Sequence, residues 1–267
     1  MQLTALSPAF YAAMALYAAA SAAFFAVLYD VWPRARRAAK WLLLAALVAH
    51  GADIAARDLA GVHPGTSVRE SIGALSWLVA AGFLAASMRY RIDVLGAFVA
   101  PAALILLAAA RLTPSGEPVP GLNAIGRVHI SLAMVAVALF ALATALAVVY
   151  LLEARNLKRK RFDGLLFRRG IALETLDLLL HRLIVVGFPV LTVSMMLGAM
   201  WAAQRSVNWY ERPEYGFAMV TWLAFGGVLV GRVAAGWRGR KTAALTIAGF
   251  VAALAVLLVY LARRSVG

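Results

Sequence analysis

The sequence predicts an all-α, polytopic membrane helix bundle of about eight transmembrane helices, and three observations predict it. The 267 residues are 64% hydrophobic and only 14% charged, whereas a soluble domain has roughly 25% charged residues. Eight apolar stretches approach the ~20 residues that a helix needs to cross hydrocarbon. The charges collect between those stretches and favour alternate connections, the pattern left when Lys and Arg are retained on one face of a membrane.

Taken in order, the first span is expected over Ala9 to Tyr29. It lacks a basic segment before it and is followed by Arg34, Arg36, Arg37 and Lys40, the wrong polarity for a cleaved signal peptide, so it reads as an uncleaved span. Trp41 to Ala56 and Ile72 to Met88 are apolar but short. Val94 to Ala110 and Val128 to Leu152 follow, separated by the Pro- and Gly-rich TPSGEPVPGLN. Leu178 to Ala203, Phe217 to Ala235 and Ala243 to Ala262 complete the set. Lipid gives the backbone no hydrogen-bond partner, so each stretch is expected to be helical. Gly198 with Ala202 and Gly227 with Gly231 stand four residues apart, a spacing that lets helix backbones approach. Residues 1–267 read as a single transmembrane domain.

The formal net charge of +14 reports orientation, not nucleic-acid binding, because the basic residues sit at span ends. Arg34 to Lys40, Arg89 with Arg91, the run NLKRKRFDGLLFRRG, and Arg232 with WRGRK fall on one side. The opposite side carries Gly61 to Glu70, the Pro-rich loop and QRSVNWYERPEY, where the charges nearly cancel. Both termini are therefore expected outside; Arg263 and Arg264 run against the trend. The chain has no Cys, which removes disulfides, thiolate metal sites and the C-x-x-C-H attachment of a c-type haem. No phosphate-binding Gly loop, H-E-x-x-H pair or Ser, His and Asp spacing is present, and the chain reads as a non-enzyme.

Ionisable groups inside spans cost ~2.5 to 3.5 kcal/mol each on insertion scales and are candidates for function. His50 lies mid-span, with Asp53 and Arg57 following on one helix face. This face has two readings: an ion pair with a histidine hydrogen-bonded to a neighbouring helix, or an axial ligand to haem. His129 opens the fifth span, where it either ligates a metal or sits among headgroups. His63 is expected to be solvated in GVHPGTS, and His181 beside Arg182 is expected to snorkel. Trp201, Trp209, Tyr210, Tyr215, Phe217 and Trp222 form either an aromatic belt or a platform for a flat apolar ligand.

The order of segments resembles the CcsA, HemX and YpjD branch of the cytochrome c assembly superfamily over nearly the whole chain. The resemblance is carried by YLLEARNLKRKR, by LETLDLLLHRLIVVGFPVLTVSMMLGAMWA, by the aromatic loop and the Trp-containing span after it, and by GWRGRKTAALTIAGF. His50, ESIGALSWL, LGAFVAPAALILL and Val128-His129-Ile130 fit the same order, and Gly187 through Trp201 is its most specific piece. The resemblance implies a bacterial inner-membrane protein working with haem b, held non-covalently, and with other cytochrome c biogenesis proteins. It implies His50 and His129 as iron ligands and Trp209 and Trp222 as haem-contacting residues.

The family's tryptophan-rich haem loop is altered here. Pro213 and Trp209 match it, but Glu211, Arg212, Glu214 and Tyr215 stand at its tryptophan, aspartate, lysine and glutamate positions. Val230 and Arg264 stand where CcsA-like members have histidines. This pattern fits an accessory paralogue better than a complete haem-delivering subunit. Two alternatives remain: a HemX-like regulator acting through Lys158 to Arg169, and a small-solute or ion permease using the Asp53 face.

The loop charges generate a topology test. An alkaline phosphatase fusion at the C-terminus should be active and one within Asn156 to Gly170 inactive; the reverse result would overturn the orientation.

Overall fold

The computed structural model describes residues 7–29, 31–32, 34–113, 119, 121–160, 172–206 and 208–266. Eight of its helices are long and apolar enough to cross a membrane: α1 Pro8–Tyr29, α2 Ala35–Leu59, α3 Val68–Arg89, α4 Gly96–Leu112, α5 Ala124–Lys158, α6 Leu173–Ala203, α7 Pro213–Ala235 and α8 Arg240–Val266. No strand occurs among the described residues. The expected all-α multi-pass architecture is therefore what the chain adopts. The helices fall into two compact units, α1 to α4 and α5 to α8.

The helix ends follow local chemistry. The Ser67 side chain accepts the Glu70 N–H and caps α3, and the Asn123 side chain accepts the Gly126 N–H and caps α5. Pro213 starts α7, where its missing N–H is harmless, and Gly236 ends it with a positive φ of 62°. The second and third spans, expected to be short, are 25 and 22 residues long. Both helices continue past their apolar stretches because the charged residues at their ends find partners.

In the first unit α1 packs on α2 and α4, and α3 packs on α4. Phe24 and Phe83 meet edge to face at 5.6 Å in its core. The Ser76 hydroxyl donates to the Ala103 carbonyl at 2.7 Å, and Trp77 Nε1 donates to the Leu47 carbonyl at 2.9 Å. Two ionic clusters close its ends. At one, Asp93 lies 2.6 Å from Lys40 and 3.2 Å from Arg36. At the other, Asp53 is bonded by the Ser7 hydroxyl, by Arg57 at 3.0 Å and by Arg111 at 2.7 Å, while Arg111 also reaches Glu70 at 3.4 Å. The expected Asp53 and Arg57 pair is thus one edge of a network joining α2, α3 and α4.

In the second unit α5 packs on α6 and α8, and α7 packs on α8. Phe140 and Phe225 stack at 3.7 Å. The small residues work differently from the expectation. A Cβ at Gly187 would lie 2.8 Å from the Phe140 ring, and Gly231 faces Trp237 in the same way. These glycines are notches for aromatic rings more than points of backbone approach.

The Asp53 network sets a stability prediction. Asp53 is 2% exposed, and removing one partner of a buried pair costs about 3 to 5 kcal/mol because the other charge is left uncompensated. Asp53→Ala should markedly lower the thermal midpoint of the detergent-purified protein. Arg36→Ala, at a side chain 56% exposed, should change it little, since exposed pairs contribute about 1 kcal/mol or less. Equal midpoints for the two variants would refute the network's structural role.

Candidate functional site

α6 is the element on which the second unit's candidate residues converge. Its Gly187 through Trp201 segment presents Phe188, Thr192, Ser194, Gly198 and Trp201 along the helix. The spacing of Ser194 and Gly198 places both on one face.

His129 is seated on that face. Its Nδ1 lies 2.7 Å from the Ser194 carbonyl, and the Ser194 hydroxyl donates to the His129 carbonyl at 3.1 Å. A carbonyl only accepts, so Nδ1 carries the proton and Nε2 presents a lone pair. Gly198 makes room for the ring: a Cβ there would stand 2.6 Å from His129 Cε1. Trp201 lies 6.1 Å away, centroid to centroid, and is itself packed over Gly126. The imidazole is thus clasped by α6.

Trp222 of α7 reaches the same helix. Its Nε1 donates to the Thr192 hydroxyl at 3.0 Å, and its ring lies 5.4 Å from Phe188. Trp209 sits in a 3₁₀ turn, Trp209–Glu211, between α6 and α7, edge-on to Tyr210 at 6.1 Å and to Tyr215 at 5.1 Å. Glu211 and Arg212 beside it are exposed. The structure thus brings His129 and Trp222 to one helix and gives Trp209 a separate set of aromatic contacts.

His50 belongs to the first unit. It is 1% exposed, and its Nδ1 lies 3.3 Å from the Tyr17 hydroxyl, with the rings at 86°. Both the hydrogen-bonded helix partner and the neighbouring ion pair of the first reading are present. Nε2 has no hydrogen-bond partner among the described residues.

The remaining histidines differ in part from expectation. His63 Nδ1 accepts the Gly65 N–H at 3.0 Å in the turn before α3. His181 is half-buried, with Nδ1 buried and without a partner among the described residues. Its place inside α6 and its neighbour Arg182 suggested an exposed end, but only the packing of α6 shows which side of the helix faces inward. The proposed regulatory loop Lys158 to Arg169 is described only as far as Lys160, and its remaining residues lie outside the described set.

Sequence reasoning missed Ser194, Thr192 and Gly198 as seats for His129 and Trp222. It also missed Arg111 and Glu70 as partners of Asp53. The available signal was a charged residue in the last turn of an apolar span, Ala108-Ala109-Ala110-Arg111, which ordinarily marks a solvated end. Among the described residues no group of three or more His, Cys, Asp or Glu could hold a metal ion.

The family model described as cytochrome C assembly protein matches residues 66–267. A protein of Gloeothece citriformis named cytochrome c biogenesis protein CcsA is 28% identical over 243 residues, covering 72% of this chain and 74% of its own. One of that name from Guillardia theta is 28% identical over 213 residues, covering 72% and 71%. A third, from Gloeobacter violaceus, is 40% identical over 89 residues, 33% of this chain and 26% of its own. No solved structure matches.

Proposed function

Because the chain belongs to the cytochrome c assembly protein family, we propose that this multi-pass membrane protein is an accessory haem-handling component of cytochrome c biogenesis. In this reading residues 1–267 act as one transmembrane domain in a bacterial inner membrane, with both termini periplasmic. Its partners are haem and other biogenesis proteins, and its part is to hold a ligand without reacting with it.

The observation that carries the reading is the clasp on His129. Histidines that ligate metals donate their second ring nitrogen to a carbonyl or carboxylate, which fixes the tautomer and the ring orientation. His129 has that arrangement with Ser194, and α6 holds it still. Non-covalent haem b would supply an iron that accepts the Nε2 lone pair. His50 is a second candidate through its own Nε2, although its near-complete burial supports it less directly. Trp222, fixed by Thr192, and Trp209 are the aromatic faces proposed to lie against a porphyrin.

The charged loop argues for an accessory part. Glu211, Arg212 and Glu214 prefer water, and covering them with a flat apolar ligand would cost several kcal/mol without new partners. Stacking on the two tryptophans returns about 0.5 to 1.5 kcal/mol per pair. The solute-path alternative finds no support, since the face it requires is closed around Asp53.

A visible absorption spectrum of the purified protein tests haem binding. The wild type should show a Soret band, and His129→Ala and Gly198→Val should weaken it severalfold by deleting or displacing the imidazole. His63→Ala should leave it unchanged. Equal loss for His63→Ala and His129→Ala, or loss for neither, would remove His129 from the site. The accessory part is tested separately, in a strain lacking its CcsA homologue and expressing this chain. Covalent-haem staining of c-type cytochromes should stay absent while the protein is present in membranes; restored staining would overturn the accessory reading.

A further inference from the structure

We propose that the inner-end cavity between α5 and α8 binds the phosphate headgroup of an anionic phospholipid. The cavity is an open groove of about 450 Å³, lined among the described residues by the exposed side chains of Arg155, Lys158, Arg159 and Arg240. That is far more than the ~30 Å³ share of one water molecule. Arg155 and Lys158 stand at i and i+3 on one face of the last turn of α5, and Arg159 follows directly as its C-cap. Arg240 comes from the first residue of α8.

The fourth cation is held in place by the fold. Gly239, with φ of 66°, leads into α8; its N–H donates to Asp177 at 3.0 Å, and a Cβ there would strike the Tyr150 hydroxyl. The start of α8 is therefore pinned to α5 and α6, and Arg240 with it. All four side chains are exposed, so water and salt screen their mutual repulsion and an anion from outside can reach them together. None of the four makes an ion pair with a described residue. The carboxylates of the packed elements do not pair with them: Asp177 is taken by Arg232 at 2.9 Å and by Gly239, and Glu153 is 4% exposed, turned into the bundle. Glu174 of α6 is exposed and bridges to none of the four.

The cavity's place selects the ligand. It lies at the ends of two spans, on the side that the loop charges assign to the cytoplasm. Basic pockets between transmembrane helices on that side suit the headgroups of anionic lipids. Guanidinium groups match phosphate oxygens two at a time, which favours a phosphodiester over a diffuse negative surface.

Native mass spectrometry of the full chain, released from micelles containing phosphatidylglycerol, cardiolipin and phosphatidylcholine with matched acyl chains, tests the proposal. The wild type should retain the anionic lipids at least tenfold over phosphatidylcholine. Arg155→Gln, Lys158→Gln, Arg159→Gln and Arg240→Gln combined should bring that ratio below about twofold. The charge-matched combination Arg34→Gln, Arg37→Gln, Arg89→Gln and Arg91→Gln should preserve it. Should the first combination fail to elute as folded protein, Arg159→Gln with Arg240→Gln should still reduce the ratio threefold or more. Equal loss in both combinations would assign the preference to diffuse charge and overturn the site. Displacement of the lipid by millimolar inorganic phosphate or glycerol phosphate would make the ligand a soluble phosphate and overturn the lipid assignment.

Discussion

Hydrocarbon offers no hydrogen bonds, and this constraint shapes the whole chain. It forces the backbone into helices and favours polar side chains within a span that find a partner in the protein. The internal partners define the structure: Ser76 with the Ala103 carbonyl, Trp77 with the Leu47 carbonyl, Trp222 with Thr192, and His129 with Ser194. Each joins two helices, so the same bonds that satisfy polar groups also fix which helices pack. Asp53 is the extreme case, a carboxylate that collects donors from the Ser7 segment, α2 and α4.

Packing without a hydrophobic driving force places a second demand on the bundle. Helices surrounded by lipid must associate through close van der Waals contact. Here the contact is a ring set into a glycine notch: Phe140 over Gly187, Trp201 over Gly126, His129 over Gly198. The notch fixes the ring's height along the partner helix. At Gly198 that mechanical role coincides with a chemical one, because the seated ring is the histidine whose tautomer Ser194 determines. A single helix, α6, therefore supplies packing and site geometry together.

The chemistry divides between the two ends of the spans. The aromatic 3₁₀ turn, Trp222 and the clasped histidine belong to the end assigned outward by charge. The opposite end of the second unit holds the four-cation cavity and the Arg232 and Asp177 pair. The outward loop carries the charges of Glu211, Arg212 and Glu214, and α6 carries the seat of His129.

The sequence by itself determined the eight spans, the absence of covalent haem attachment and the asymmetry of loop charge, because length, hydropathy and net charge are sums that need no partner. It also marked His50, Asp53, His129 and Trp222, since polar and aromatic residues stand out against an Ala- and Leu-rich background. It did not reveal Ser194 beneath His129, Thr192 beneath Trp222 or Arg111 beside Asp53. Those pairings join residues 65, 30 and 58 positions apart, and a helical period specifies a face without specifying what faces it. Tertiary structure alone decided that His181 Nδ1 turns inward and that Arg240 joins three cations from α5, because each depends on the rotation of one helix against another.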